Sequence, residues 1–350
     1  MELRQLGRTD LKVSSLCLGT MTFGEQNTQK EGYLQMDYAL DQGINFFDTA
    51  ELYAIPPKPE TRGRTEEIIG NWMQARKSRD DVIIATKVTG RSGMNWFRED
   101  GSLTQVNRAQ IMEAIDGSLK RLKTDYIDLY QIHWPDRTVS QFGANPVIFR
   151  HKEPAAEENA IGEILHVMQE LVDAGKIRHL GLSNESTWGT MRFLQESEKG
   201  NGPRVVSIQN AYSLLNRTYE VNMAEMSMRE DVGLLAYSAL AQGFLTGKYL
   251  DGATPPGARK TLFKRQERYT TPGADAAIRG YLKVARDFNW DISQLCIAFA
   301  TTRSFTTSTI LGATNLDQLK ADIAAHDMGI DEELEKAIDA VHFLHTNPCP

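Results

Sequence analysis

Asp48, Tyr53, Lys87 and His133 are the residues whose types and spacing could do chemistry. Each stands just past an apolar run that reads as a β-strand: Ile44 to Phe47, Val82 to Thr86 and Ile127 to Ile132. A carboxylate, a phenol, an ammonium and an imidazole gathered at one rim would make a proton donor. The phenol is the unusual member, because free tyrosine titrates at about 10 and donates well at neutral pH only when a neighbour stabilises its anion. Lys87, itself held by Asp48, would be that neighbour, and the set then suits the reduction of a carbonyl. Taken singly, each residue has an ordinary explanation: Asp48 as a loop cap, Lys87 as a solvated strand end, His133 as a satisfied core histidine. Their joint placement, in order at strand ends, is what sets them apart.

The elements that must position them are legible as an alternation. Strand-like runs alternate with amphipathic helical stretches from about Leu16 onward, with no Ser/Gly linker between them. The strand candidates are Leu16 to Leu18, Ile44 to Phe47, Val82 to Thr86, Ile127 to Ile132, Ile177 to Leu182, Val205 to Gln209, Leu234 to Tyr237 and Thr309 to Leu311. Eight such units predict a closed α/β barrel, a single (β/α)8 TIM barrel spanning residues 1–350 as one domain. Helices are predicted over Gln29 to Gln42, Thr65 to Ala75, Arg108 to Leu122, Gly162 to Ala174, Thr187 to Glu198 and Tyr219 to Arg229. Thr65 reads as an N-cap, and Gly43 and Gly175 as helix ends. Ahead of the first barrel strand, Leu3 to Leu6 and Val13 to Ser15 read as an N-terminal β-hairpin capping the bottom of the barrel. Extra length follows strands two, three, four and seven, in Ile55 to Pro59, Gly90 to Val106, Pro135 to Asn159 and Ala239 to Pro272. These are long top-face loops, where barrel active sites sit.

Composition narrows the function classes. Hydrophobic content of 41% and charged content of 24% are those of a globular protein, and no apolar run approaches a membrane span. A formal charge of -7 gives no general attraction for nucleic acid or anionic lipid, so the expected partner is a small molecule. The start lacks a signal-peptide pattern, and Cys17, Cys296 and Cys349 form no metal or disulfide spacing, which points to the cytoplasm. Cys17 and Cys296 read as core fillers and Cys349 as an exposed free thiol. Oligomeric state is left open.

The segment Asn45-Phe46-Phe47-Asp48-Thr49-Ala50-Glu51-Leu52-Tyr53, then Thr86-Lys87 and Gln131-Ile132-His133-Trp134-Pro135, resembles the aldo-keto reductase superfamily over nearly the whole chain. Gly19-Thr20-Met21-Thr22-Phe23-Gly24 and Gln209-Asn210-Ala211-Tyr212-Ser213 extend the resemblance. It implies a barrel that binds NADP(H) without a Rossmann fold and without a metal. It also implies roles: Tyr53 protonates the carbonyl oxygen as hydride arrives, Lys87 lowers the Tyr53 pKa, Asp48 holds Lys87, and His133 orients the carbonyl.

The same resemblance assigns cofactor contacts. Thr20, Met21 and Asp48 lie at the nicotinamide end, Ser183, Asn184 and Gln209 at its carboxamide, and Tyr237 stacks on the ring. The run from Ser238 to Lys248, with Leu240, Gln242, Leu245 and Gly247, resembles a pyrophosphate clasp to which Lys248 and Arg259 add positive charge. Gly312, Thr314 and Gln318 stand where a strand gives way to a helix start whose free N–H groups favour a 2′-phosphate, hence NADP over NAD. Relatives often carry Glu at the place of Ala321 and Asn at that of Asp322, so the adenine end departs from the pattern. Trp96, Phe97, Trp134, Phe142 and Tyr212 are candidate pocket walls.

Two rivals come from other classes. The potassium-channel β subunits, cofactor-sensing regulatory proteins, share the barrel but typically have Asn at the position of His133. A metal-dependent hydrolase using Asp48 and His133 as ligands would need further His or carboxylate partners and would set Lys87 beside the metal.

Overall fold

The computed structural model describes residues 1–139, 148–149, 151, 153–155, 157–263 and 267–349. Ten strands are present among them: β1 (Leu3–Gln5), β2 (Lys12–Ser14), β3 (Leu16–Gly19), β4 (Phe46–Asp48), β5 (Ile83–Val88), β6 (Ile127–Ile132), β7 (Ile177–Ser183), β8 (Val205–Ala211), β9 (Gly233–Tyr237) and β10 (Thr306–Leu311). Strands β3 to β10 close into a parallel barrel, with β10 pairing both β9 and β3. β1 and β2 form a separate antiparallel hairpin, as expected.

Side chains alternate across a strand, and here the alternation stacks two unlike layers inside the barrel. Cys17, Phe46, Ala85, Leu129, Val206 and Leu235 form a buried apolar cluster, closed from below by Leu6 and Val13 of the hairpin segment. Two residues further along β3 to β6 come Gly19, Asp48, Lys87 and Gln131. The register aligns them, with Gly19 opposite Asp48, Lys87 opposite Gln131, and Gln131 opposite Gly181. Gly181 is needed there, because a Cβ would come within 2.9 Å of Ser207 Oγ and 3.1 Å of Gln131 Cγ. The hairpin is pinned beneath the barrel by Arg4, whose guanidinium donates to the carbonyls of Thr301 and Thr306 at 2.8 and 2.9 Å.

On the outside, residues such as Phe47, Ile84, Tyr130 and Leu180 join helix residues such as Ile111, Ile115, Leu165 and Met168 in one larger core. Each such side chain contributes about 1.5–3 kcal/mol on burial. The helix Arg108–Leu122 falls where the periodicity places it, and Asn107 caps it by accepting from Gln110 N. Gly43 and Gly175 end their helices at φ values of 83° and 69°. Thr65, by contrast, is not an N-cap: the helix begins at Arg64 after Gly63, and the Thr65 hydroxyl donates to the carbonyl of Phe23. The helix expected from Tyr219 begins at Met223, because Asn222 takes a left-handed φ of 73° and separates it from a short 3-10 turn. β10 starts three residues earlier than predicted, since hydroxyls of its Ser/Thr run find partners inside the protein, Ser308 Oγ donating to Ser14 O at 2.7 Å and Thr309 Oγ1 accepting from Thr301 Oγ1 at 2.9 Å. Cys349 is buried rather than exposed: the C-terminal tail folds back, with Cys349 N donating to Leu215 O and its thiol 3.4 Å from Thr271 Oγ1. Cys17 and Cys296 are buried, as expected.

Candidate active site

Lys87 is fully buried, and its position in β5 aims it across the top of the barrel. Its ammonium donates to Asp48 Oδ2 and to the carbonyl of Thr49, both at 2.7 Å. The second carboxylate oxygen of Asp48 accepts from Gln131 Nε2 at 3.2 Å and Gln209 Nε2 at 2.8 Å, so β4, β5, β6 and β8 all meet at this carboxylate. Tyr53 stands above, its ring centroid 5.0 Å from Lys87 Nζ, and His133 meets the Tyr53 ring edge-on at a centroid distance of 5.6 Å. The four residues predicted to act together are therefore brought together. The strands run further than the apolar runs implied: Asp48 ends β4 and Lys87 lies within β5.

Burial governs the electrostatics. It pushes the Tyr53 phenol above its ordinary value, with Lys87 pulling down and Asp48 pushing up. Lys87 acts in the expected direction, lowering the phenol pKa, but burial outweighs a cation that Asp48 already neutralises. Burial opposes the charge on Lys87 too, yet Asp48 and Tyr53 together raise its pKa. His133 is held well below its ordinary value by burial and then by Lys87, so its imidazole is neutral. Its Nδ1 is buried without a hydrogen bond among the described residues.

The loop that carries Tyr53 is fixed from behind. Glu51 is buried and takes a two-pronged ion pair from Arg98 at 2.8 and 2.9 Å, while Thr89 N donates to the same carboxylate at 2.7 Å. Ala50, Leu52, Tyr53 and Phe97 pack together over this pair.

A cavity of about 1030 Å³ opens above the four residues. Asp48, Tyr53 and His133 line it, while Lys87 lies beneath. Of the expected cofactor contacts, Thr20, Met21, Ser183, Asn184, Gln209, Tyr237, Ser238, Leu240, Gln242, Lys248, Arg259, Gly312, Thr314 and Gln318 all line it. Leu245 and Gly247 do not: Leu245 is wholly buried in the core, and Gly247 turns the chain at φ 77° against Leu282. Ser183, Asn184 and Tyr237 are already linked, Tyr237 donating to Asn184 Oδ1 at 2.6 Å and Asn184 Nδ2 to His133 O at 2.9 Å. The helix start after β10 is less free than expected, because Asn315 caps it and Gln318 Oε1 accepts from Thr314 N and Oγ1.

Among the aromatic candidates, Trp134 lines the cavity. Trp96 and Phe97 pack behind Leu52 and Tyr53, and Tyr212 stacks on Phe299 in the core at 5.6 Å, so these three are internal packing. Phe142 lies outside the described residues. Sequence reasoning missed Met94, Arg268, Asp291 and Ile297, all of which line the cavity. Arg268 reaches the Tyr237 ring at 5.9 Å, and the sequence offers only a loop cation as its signal. No group of three or more His, Cys, Asp or Glu among the described residues could hold a metal, and no helix among them is long and apolar enough to cross a membrane.

The barrel, the buried Asp48–Lys87 pair under Tyr53 and the comparison with known proteins agree: the Aldo/keto reductase family model matches residues 15–342, and the chain belongs to that family. It is an oxidoreductase fold with a site for a small molecule. Protein tas of Escherichia coli (strain K12) is 46% identical over the full length of both chains. An uncharacterized oxidoreductase, YrpG, of Bacillus subtilis (strain 168) is 31% identical over 97% of this chain and 96% of its own. A probable voltage-gated potassium channel subunit beta of Oryza sativa subsp. japonica is 30% identical over 94% of this chain and 92% of its own.

Proposed function

We propose that the protein is an NADPH-dependent reductase of aldehydes or ketones, with Tyr53 as the general acid. The observation that carries this reading is the Lys87 ammonium, buried between Asp48 and the Tyr53 ring at the foot of a cavity large enough for a dinucleotide. The cavity's residues suit such a group: amides and a hydroxyl at Ser183, Asn184 and Gln209, an aromatic face at Tyr237, and the cations Lys248, Arg259 and Arg268 for phosphates. NADPH, when bound, supplies the hydride. The raised phenol of Tyr53 keeps its proton until negative charge develops on the carbonyl oxygen, then transfers it there. Lys87 stabilises the tyrosinate that remains, and Asp48 keeps Lys87 in place. Neutral His133 donates a ring N–H to the same oxygen and orients the carbonyl. The walls nearest this point, including Leu52, Ile55, Met94 and Trp134, favour an apolar substituent on the substrate.

On this reading the whole chain acts as one domain, and its three unpaired buried cysteines suit a reducing cytoplasm. A second reading, a cofactor-binding regulatory subunit, draws support from the similarity to the rice protein. One assay separates the two: loss of reduced-nicotinamide absorbance with a panel of aldehydes and ketones, NADPH run beside NADH. Turnover that prefers NADPH supports the reductase, tight binding without turnover supports the regulatory subunit, and the absence of binding rejects both.

A further inference from the structure

One part of the cavity is acidic where a dinucleotide would bring more negative charge. With the nicotinamide beside Tyr53 and the phosphates at Lys248 and Arg259, the walls left for the base include Asp291, Ser293, Ile297, Gln318, Ala321 and Asp322. Asp322, in the helix Leu316–Ile323, is only 4% exposed and lines the cavity. Among the described residues, no hydrogen bond reaches its carboxylate. Asp291 differs in this respect: it caps the helix Ile292–Thr301, accepting from Ser293 N at 2.8 Å and Gln294 N at 3.1 Å. Gln294 Nε2 in turn donates to Ala321 O at 3.3 Å and ties the two helices together beside Asp322. The charged and titratable groups facing Asp322 are Asp291 and Cys296 from that helix and Lys248 from the loop after β9.

The chemistry of the exposed edge of adenine decides what such a group can do. That edge carries an amine donor next to a ring-nitrogen acceptor. A carboxylate offers acceptors only, whereas a neutral carboxyl offers one donor and one acceptor and matches both positions. We propose that Asp322 reads the adenine of the bound dinucleotide as a neutral carboxylic acid, so that cofactor binding takes up a proton. The inference rests on the cofactor reading above and adds to it a residue that sets both base recognition and pH dependence. Burial, then Asp291, push the empty-cavity Asp322 up to about 7 against the pull of Lys248. Cofactor phosphates add negative charge and push in the same direction. Affinity then falls as pH rises through neutrality.

The test is calorimetric titration of the full chain with NADPH at slightly alkaline pH, in two buffers of different ionisation heat, for wild type and for Asp322→Asn. Wild type should take up a large fraction of one proton and lose affinity by about tenfold between roughly pH 6.5 and pH 8.5. Asp322→Asn, which keeps one donor and one acceptor at all pH values, should take up less by nearly that whole fraction and show a flatter profile. The 2′-phosphate of NADPH titrates at about 6 in both proteins, so their difference is the readout. Binding without proton uptake by wild type overturns the proposal whether or not the variant folds, and equal uptake by both proteins does the same; either leaves the cofactor reading standing. No NADPH binding at any pH overturns both.

Discussion

Lys87 Nζ stands 5.0 Å from the centroid of the Tyr53 ring while it donates to Asp48 at 2.7 Å, so one buried cation faces an anion that is permanent and, on the proposed mechanism, a phenol that becomes an anion only during proton transfer. The permanent partner holds the lysine in position. The transient one gains stability from it at the moment the proton leaves.

Removing the phenol oxygen should separate chemistry from binding. Tyr53→Phe keeps the ring that packs with Leu52 and Phe97, so NADPH affinity should stay within about threefold, while kcat falls by about 100-fold or more. Steady-state kinetics beside fluorescence titration checks this, and a near-normal kcat would sink the role of Tyr53.

Lys87→Met should damage stability as well as turnover. It leaves the Asp48 carboxylate buried with, among the described residues, only Gln131 and Gln209 as side-chain partners, a loss of about 3–5 kcal/mol. Urea unfolding measures it. Adding Asp48→Asn to Lys87→Met should recover most of the loss, and a Lys87→Met protein as stable as wild type would refute the argument.

His133 should not titrate in the physiological range. Burial and then Lys87 hold it well below its ordinary value, so its ring signals should stay constant in an NMR titration from about pH 5.5 to pH 8. His133→Ala should lower kcat/KM by about 100-fold without weakening NADPH binding. An imidazole inflection at about 6.5 would show that the ring is wet and charged.

The unliganded protein should carry a pH-dependent penalty at Asp322. Its folded pKa of about 7 lies above the unfolded 3.8, so the folded state holds the extra proton between those values and stability falls as pH rises across that window. The gain from Asp322→Asn should therefore be small near pH 4 and reach a plateau above about pH 7, at a few kcal/mol at most. Guanidinium unfolding at the two ends of the window reads the difference, and a gain that is the same at both ends would exclude the linkage.

All eight barrel strands were legible because apolar runs in a parallel barrel are buried on both faces. The same logic hid their upper ends: at Asp48 and Lys87 the inward side chains turn polar, and the run stops before the ladder does. β10 was only half visible because its first residues are Ser and Thr, two of whose hydroxyls bond outside the strand, Ser308 to Ser14 O and Thr309 to Thr301, which no hydropathy pattern records. The catalytic candidates were readable from type and order. Their setting was not: the Glu51–Arg98 pair joins positions 47 residues apart, and Arg268 meets Tyr237 across a loop whose path the sequence does not specify. Burial misled in one direction. Cys349 and Tyr212 sit in segments that look like loop or tail, yet both are enclosed by chain that returns from elsewhere.

The hairpin under the barrel has a kinetic consequence. Leu6 and Val13 stopper the lower end with an apolar plug, so the Asp48–Lys87 layer is closed from below and opens to the cavity above. On the proposed reading, traffic through the site is single-file: the proton that recharges Tyr53 descends by the route along which product leaves. If Tyr53 is the acid proposed above, release of an alcohol product and rearming of the acid become one event, and an enzyme with product still in place is a spent one.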